Sequence, residues 1–180
     1  MATTQVFVYG TLKRGFPNYA LYLGPAEEKK KAIFVGEATT STAYPLVVGG
    51  DRYVPFLLNI PGEGVPIAGE VFAVDQSTLE ALDILEGTST GYYKRELIPV
   101  QCNGLTIECF VYIRLVQDND PLLSLERQSS YTKEASQGYR SRSVLPNMDI
   151  LALIHDLDAT KRHDVQTKLE AGVSLRDALP

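Results

Sequence analysis

The stretch Val6–Gly15, VFVYGTLKRG, decides how the rest of the chain is read. It opens with alternating β-formers, Val6 and Val8 on one face and Phe7 and Tyr9 on the other, which is the period of a strand. The pattern breaks at Gly10, passes Thr11 and Leu12, and closes on Lys13, Arg14 and Gly15. A strand that stops at a glycine presents a run of backbone N–H groups at the end of a sheet. Glycine there admits backbone angles closed to other residues and lets a ligand approach the main chain. Successive N–H groups can form a concavity for a carboxylate or an oxyanion. The plainer reading is a strand and a turn, with Lys13 and Arg14 solvated. A phosphate-binding P-loop is excluded, because Gly15 is followed by Phe16 and Pro17, and no GxGxxG occurs.

Outward from this stretch, Asn18 is placed to cap a short helix ending near Leu23. The run Glu27–Lys31, EEKKK, reads as a solvated surface segment. Ala32–Thr40 reads as a strand with a bulge at Gly36. Ala43–Val48 and Val54–Ile60 read as two further strands, separated by a turn at Gly49–Asp51 and stopped by Pro61-Gly62. Ile67–Val74 is a strand, and Asp75 after it is a helix N-cap, with Ser77 and Glu80 as an alternative capping box. Leu79, Leu82 and Leu85, with Ala81 and Ile84, make one apolar stripe on a helix Asp75–Glu86, which Gly87 ends as a left-handed cap. Tyr92–Val100 and Leu105–Leu115 form a hairpin around Asn103-Gly104. Pro99 puts its first arm at an edge or beside a bulge. From Val116 to about Pro146 the chain is polar and reads as loop with one short helix; Asn147–Leu157 and Ala159–Ala171 read as helices. Strands in runs with few helices between them favour an α+β architecture over a doubly wound one.

The 180 residues suffice for one domain with a sizeable core, and 44% hydrophobic with 22% charged residues is an ordinary globular mixture. A net charge of −5 and a sequence pI of about 5.1 argue against non-specific nucleic-acid binding. No apolar stretch reaches the roughly 20 residues that cross a bilayer, and the opening MATTQVFVYG lacks the features of a secretory signal. A cytoplasmic protein with neither membrane nor nucleic-acid partner is the expectation. If Asn103-Gly104 closes the hairpin, Cys102 faces Leu105 and Cys109 faces Ile98. The two sulfurs then lie roughly 13 Å apart, too far for a disulfide.

Glu86 is the acid that stands out. It sits at the last turn of its helix, where the negative end of the macrodipole raises a carboxyl pKa, and partial burial would raise it further. Such a carboxyl suits proton transfer near neutral pH. Its plainer reading is a solvated helix-end glutamate. Asp83, three residues earlier, is expected to face solvent or a backbone cap. No histidine or third acid stands at ligand spacing, so no metal site is expected. His155 and His163 read as exposed or core-edge residues, and GxSxG, HExxH and paired CxxC are all absent.

Together VYGTLKRG, YPLVV, GEVFAVD, LDILEG and YYKR resemble the γ-glutamylcyclotransferase-like superfamily, and within it the γ-glutamylamine cyclotransferases and AIG2-like proteins. The resemblance runs from Gln5 to the 130s or 140s. It implies a mixed sheet forming a small β-barrel flanked by helices, in a domain spanning 1–146, with 147–180 as a C-terminal helical extension. It implies that Tyr9, Gly10, Thr11 and Leu12 receive the γ-glutamyl part of a small-molecule substrate, and that Glu86 is the general acid/base. Tyr93 matches a tyrosine after the catalytic turn, with Tyr92 as the alternative because Gly87–Gly91 is one residue longer than in related sequences. The implied reaction is cofactor-independent release of 5-oxoproline from a γ-glutamylamine such as γ-glutamyl-ε-lysine. The alternatives are a cyclotransferase for γ-glutamyl amino acids or another γ-glutamyl metabolite, and a non-catalytic binding module of the same fold. A leaving group with a free carboxylate would want a cation at the rim, which Lys13, Arg14, Lys94 or Arg95 would supply.

Overall fold

The computed structural model describes residues 3–141 and 159–171. The expected helix Asn147–Leu157, with His155, lies outside them. Five strands close a barrel in the order β1 (Thr4–Val8), β5 (Ala68–Val74), β2 (Ala32–Thr40), β6 (Lys94–Cys102) and β7 (Leu105–Ile113). All neighbours are antiparallel except at the seam, where β1 runs parallel to β7 through the pair Val6 and Phe110. A second sheet sets β3 (Leu46–Gly49) between β4 (Val54–Leu57) and the short β8 (Arg127–Gln128). The α+β barrel flanked by helices expected from the sequence is the observed architecture.

Local chemistry accounts for most element boundaries. Asn103 (φ 51°) and Gly104 (φ 76°) take the two left-handed conformations of a type I′ hairpin turn. That turn sets Cys102 opposite Leu105 and Ile98 opposite Cys109, and both thiols are free and buried. Register slips between Phe34 and Gly36, at the expected bulge. β6 pairs with β2 only over Val100–Cys102, so Pro99 sits where the strand has β7 on one side alone. Asp75 caps α2 (Gln76–Glu86) by accepting from the Thr78 N–H at 2.8 Å. Gly87 (φ 69°) ends it in the left-handed conformation.

Two expectations are corrected. Asn18 does not cap a helix: α1 spans Leu23–Glu28, starts after Tyr22 without a side-chain cap, and runs into the expected solvated segment only at Glu27 and Glu28. Glu27 is not merely solvated; it accepts from the Tyr19 hydroxyl at 2.6 Å and the Phe34 N–H at 3.2 Å. The polar stretch after Val116 holds a 3₁₀ turn at Pro121–Ser124, β8 and the short helix α3 (Lys133–Ser136). α4 (Ala159–Glu170) places Val165, fully buried, in the same hydrophobic cluster as Leu79, Leu82 and Val6.

Candidate active site

β1 delivers the chain to a cavity at one end of the barrel. The cavity holds about 570 Å³ of atom-free space including its open mouth, and Tyr9–Leu12, Glu86, Tyr92 and Tyr93 all line it. The sequence therefore places together residues more than seventy positions apart. Both tyrosines of YYKR reach the site, Tyr92 half-buried and Tyr93 buried, their rings 5.2 Å apart edge to face.

Gly10 is needed for a different reason from the one its sequence context suggests. It does not lie in the left-handed region. A Cβ there would come within 2.4 Å of Pro55 Cγ, so close packing of β4, not an unusual angle, excludes a side chain. The loop beyond it is braced from within. Asn18 donates to Thr11 Oγ1 at 2.9 Å and accepts from the Tyr139 hydroxyl at 2.9 Å. The Asn18 and Tyr19 N–H groups both donate to the Thr11 carbonyl. The N–H groups of Gly10, Thr11 and Leu12 themselves meet no acceptor among the described residues. A braced loop that keeps consecutive donors unspent is suited to hold an anion.

Glu86 is the last residue of α2 and is half-buried. Its negative charge is felt across the cavity: with burial as the larger cause, it raises the pKa values of Tyr9, Tyr93 and Tyr112. Those phenols stay protonated, and two of them are committed to backbone. The Tyr9 hydroxyl donates to the Tyr112 carbonyl at 2.7 Å and accepts from the Leu57 N–H at 3.3 Å. The Tyr93 hydroxyl donates to the Pro55 carbonyl at 2.9 Å. Both residues tie the barrel to β4 through their hydroxyl groups.

Asp83 departs from its expected solvent-facing position. It accepts from the Tyr112 hydroxyl at 2.8 Å and pairs with Arg95 at 2.5 Å. Burial still outweighs these two partners and leaves the Asp83 pKa above the usual carboxylate value. The four cations proposed for the rim are also engaged elsewhere. Lys13 donates to the Tyr131 carbonyl at 2.7 Å, and Arg14 lies 3.4 Å from the Phe34 ring centre. Lys94 pairs with Glu96 at 2.8 Å, and Arg95 is held by Asp83. None of the four lines the cavity. The cation that does is Arg52, from the β3–β4 connection.

Tyr112, Arg52 and Tyr139 are among the lining residues that sequence reasoning missed. The hairpin register sets Tyr112 opposite Arg95, which was a usable signal for the first. Nothing in local sequence brings the loops of Arg52 and Tyr139 to this cavity. Among the described residues no group of His, Cys, Asp and Glu side chains is arranged to hold a metal, and no helix there is long and apolar enough to cross a membrane.

Comparison with known proteins extends beyond the site motifs. Residues 6–133 match the family described as gamma-glutamyl cyclotransferase, AIG2-like. Gamma-glutamylaminecyclotransferase B of Danio rerio is 39% identical over 140 residues, 75% of this chain and 71% of that protein. The Rattus norvegicus gamma-glutamylaminecyclotransferase is 35% identical over 144 residues, 76% of this chain and 94% of that one. The crystal structure of an AIG2-like protein from Mus musculus superposes with a TM-score of 0.66 at 35% identity, covering 78% of this chain and 95% of that one. With barrel, cavity and sequence in agreement, this chain belongs to the gamma-glutamyl cyclotransferase, AIG2-like family and is an enzyme of that type.

Proposed function

We propose that the protein cyclises γ-glutamylamines, releasing 5-oxoproline and a free amine such as the lysine of γ-glutamyl-ε-lysine. The observation that carries this reading is one cavity lined both by Gly10–Leu12, whose N–H groups meet no acceptor among the described residues, and by Glu86. In this mechanism Glu86 takes a proton from the substrate α-amino group. The freed nitrogen attacks the γ-carbonyl carbon and closes a five-membered lactam. As the γ-carbon–nitrogen bond to the amine breaks, Glu86 returns the proton to the departing nitrogen, so no proton is gained or lost over the cycle. The loop N–H groups hold the α-carboxylate or the oxyanion that develops at the γ-carbonyl, an electrostatic role typically worth about 3–4 kcal/mol per donor. Nucleophile and electrophile belong to one molecule, so the site acts largely by selecting the folded-back conformer.

The names of relatives from several vertebrates, each a gamma-glutamylaminecyclotransferase, favour an amine over other leaving groups. The test is 5-oxoproline release from a panel of γ-glutamyl compounds by the wild-type protein and by Glu86→Gln. The variant is expected to melt like wild type and to lose about 10²–10⁴-fold in kcat. Normal turnover by Glu86→Gln would remove Glu86 from the mechanism, and no 5-oxoproline from any substrate would end the proposal.

A further inference from the structure

Glu86 ends α2, Gly87 (φ 69°) caps that helix, and Thr88–Thr90 forms a 3₁₀ turn that stops at Gly91 (φ 76°). The turn is locked to the end of α2. The Thr90 and Tyr92 N–H groups both donate to the Gly87 carbonyl, at 3.3 and 3.0 Å, and the Thr88 hydroxyl donates to the Asp83 carbonyl at 3.3 Å. A displacement of the turn therefore displaces Glu86. Yet the turn buries none of its own residues, so its own packing does little to fix it.

The helix α4 supplies support from outside. It packs against both α2 and the turn, and it lies beyond residues 6–133, the part of the chain that matches the family. Among its described residues Thr160, Lys161, His163, Asp164 and Thr167 are exposed, whereas Val165 is fully buried. A helix this polar depends on tertiary packing for its stability, and Val165 is the anchor. Val165 joins the cluster against which Leu85 and Tyr92 pack, and those two residues, on either side of Glu86 in sequence, line the cavity. Two residues before Val165, His163 Nδ1 lies 3.3 Å from Ser89 Oγ, at hydrogen-bond distance from the middle of the turn. We infer that α4 is a positioning element for Glu86, docked by Val165 and tied to the turn after the carboxylate through His163 and Ser89. The inference rests on the cyclotransferase reading above and adds to that site a support from outside the family-matching part of the chain.

Variants of the full chain, assayed on γ-glutamyl-ε-lysine, test it. Val165→Asp puts a charge in the buried seat and undocks α4. It is expected to lose about 10- to 100-fold in kcat, the range for a catalytic group displaced by up to about 1 Å. KM is expected to stay within about twofold of wild type, because Asn18 and Tyr139 still brace the Gly10–Leu12 loop. His163→Ala and Ser89→Ala are each expected to lower kcat about 2- to 10-fold. The double variant is expected to fall no further than the stronger single, since both remove one contact. His163→Asn, whose amide can donate or accept from about the place of Nδ1, is expected to keep most of the wild-type kcat. An unchanged kcat in folded Val165→Asp, a rise in KM at constant kcat, or losses that multiply in the double variant would overturn the inference. If Val165→Asp does not fold, the His163 and Ser89 cycle decides alone. Each of these refutations leaves wild-type turnover and its loss in Glu86→Gln standing, whereas a wild-type protein that releases no 5-oxoproline removes both readings.

Discussion

Gly10→Ala is the sharpest perturbation the site offers. The added Cβ would lie 2.4 Å from Pro55 Cγ, where ordinary contact is 3.4–4 Å, an overlap of about 1 Å. Pro55 cannot simply withdraw: it pairs with Val48 in the small sheet and its carbonyl accepts from Tyr93 at 2.9 Å. Overpacking of this kind costs about 1–3 kcal/mol. For a chain of 180 residues that lowers Tm by about 2–12 °C. If the loop yields instead, displacing Gly10–Leu12 by about 1 Å reduces activity on the order of 10²-fold. Relief is built into the same contact. Pro55→Ala removes Cγ and the Cδ at 3.7 Å but leaves Cβ at an acceptable 3.4 Å. The Gly10→Ala/Pro55→Ala double variant should therefore be more stable than the sum of the singles by about 1 kcal/mol or more. Urea denaturation of the four proteins, with 5-oxoproline release measured alongside, closes the cycle. Additivity within about 0.5 kcal/mol would refute the steric account.

Other outcomes follow from the remaining contacts. Asp83 has a raised pKa in the folded state, so its contribution favours the fold below its unfolded value and fades as pH rises through the folded one. Asp83→Asn cannot ionise, and its stability relative to wild type should improve as pH rises above the ordinary Asp value of about 3.9; urea midpoints moving the other way would mean that Arg95 and Tyr112 outweigh burial. Asn18→Ala deletes the bonds to Thr11 and Tyr139 and should cost about 1–3 kcal/mol, with a higher KM, read by denaturation and steady-state kinetics. Cys109 is fully buried and its pKa is pushed up to about 12, chiefly by burial, so native protein should resist iodoacetamide at neutral pH and label at Cys109 only in denaturant.

The sequence was most informative where short-range chemistry dictates geometry. Asp75, Gly87 and Asn103-Gly104 mark their boundaries through caps and turn angles that depend on the residues themselves. Hairpin register followed from the turn, and with it the separation of Cys102 and Cys109. α1 was illegible because its stability comes from tertiary contacts: Leu23 and Ala26 are buried, and Tyr19 and Phe34 hold Glu27. The site divides the same way. Glu86 and the Gly10–Leu12 loop stood out by position and motif. Arg52 and Tyr139 arrive from connections whose paths no local pattern encodes. The expectation of an unusual backbone angle at Gly10 failed for the same reason, since Pro55, which excludes a side chain there, lies 45 positions away.

The seam that closes the barrel joins Val6 to Phe110. Strand β1 leaves the ribosome long before β5 and β7, the two strands it must lie between. The glycine-ended loop that follows it therefore takes its working shape late, after about residue 113 has cleared the exit tunnel. A chain arrested just before that point carries the loop and Glu86 in its sequence but not the closed barrel that brings them to one cavity.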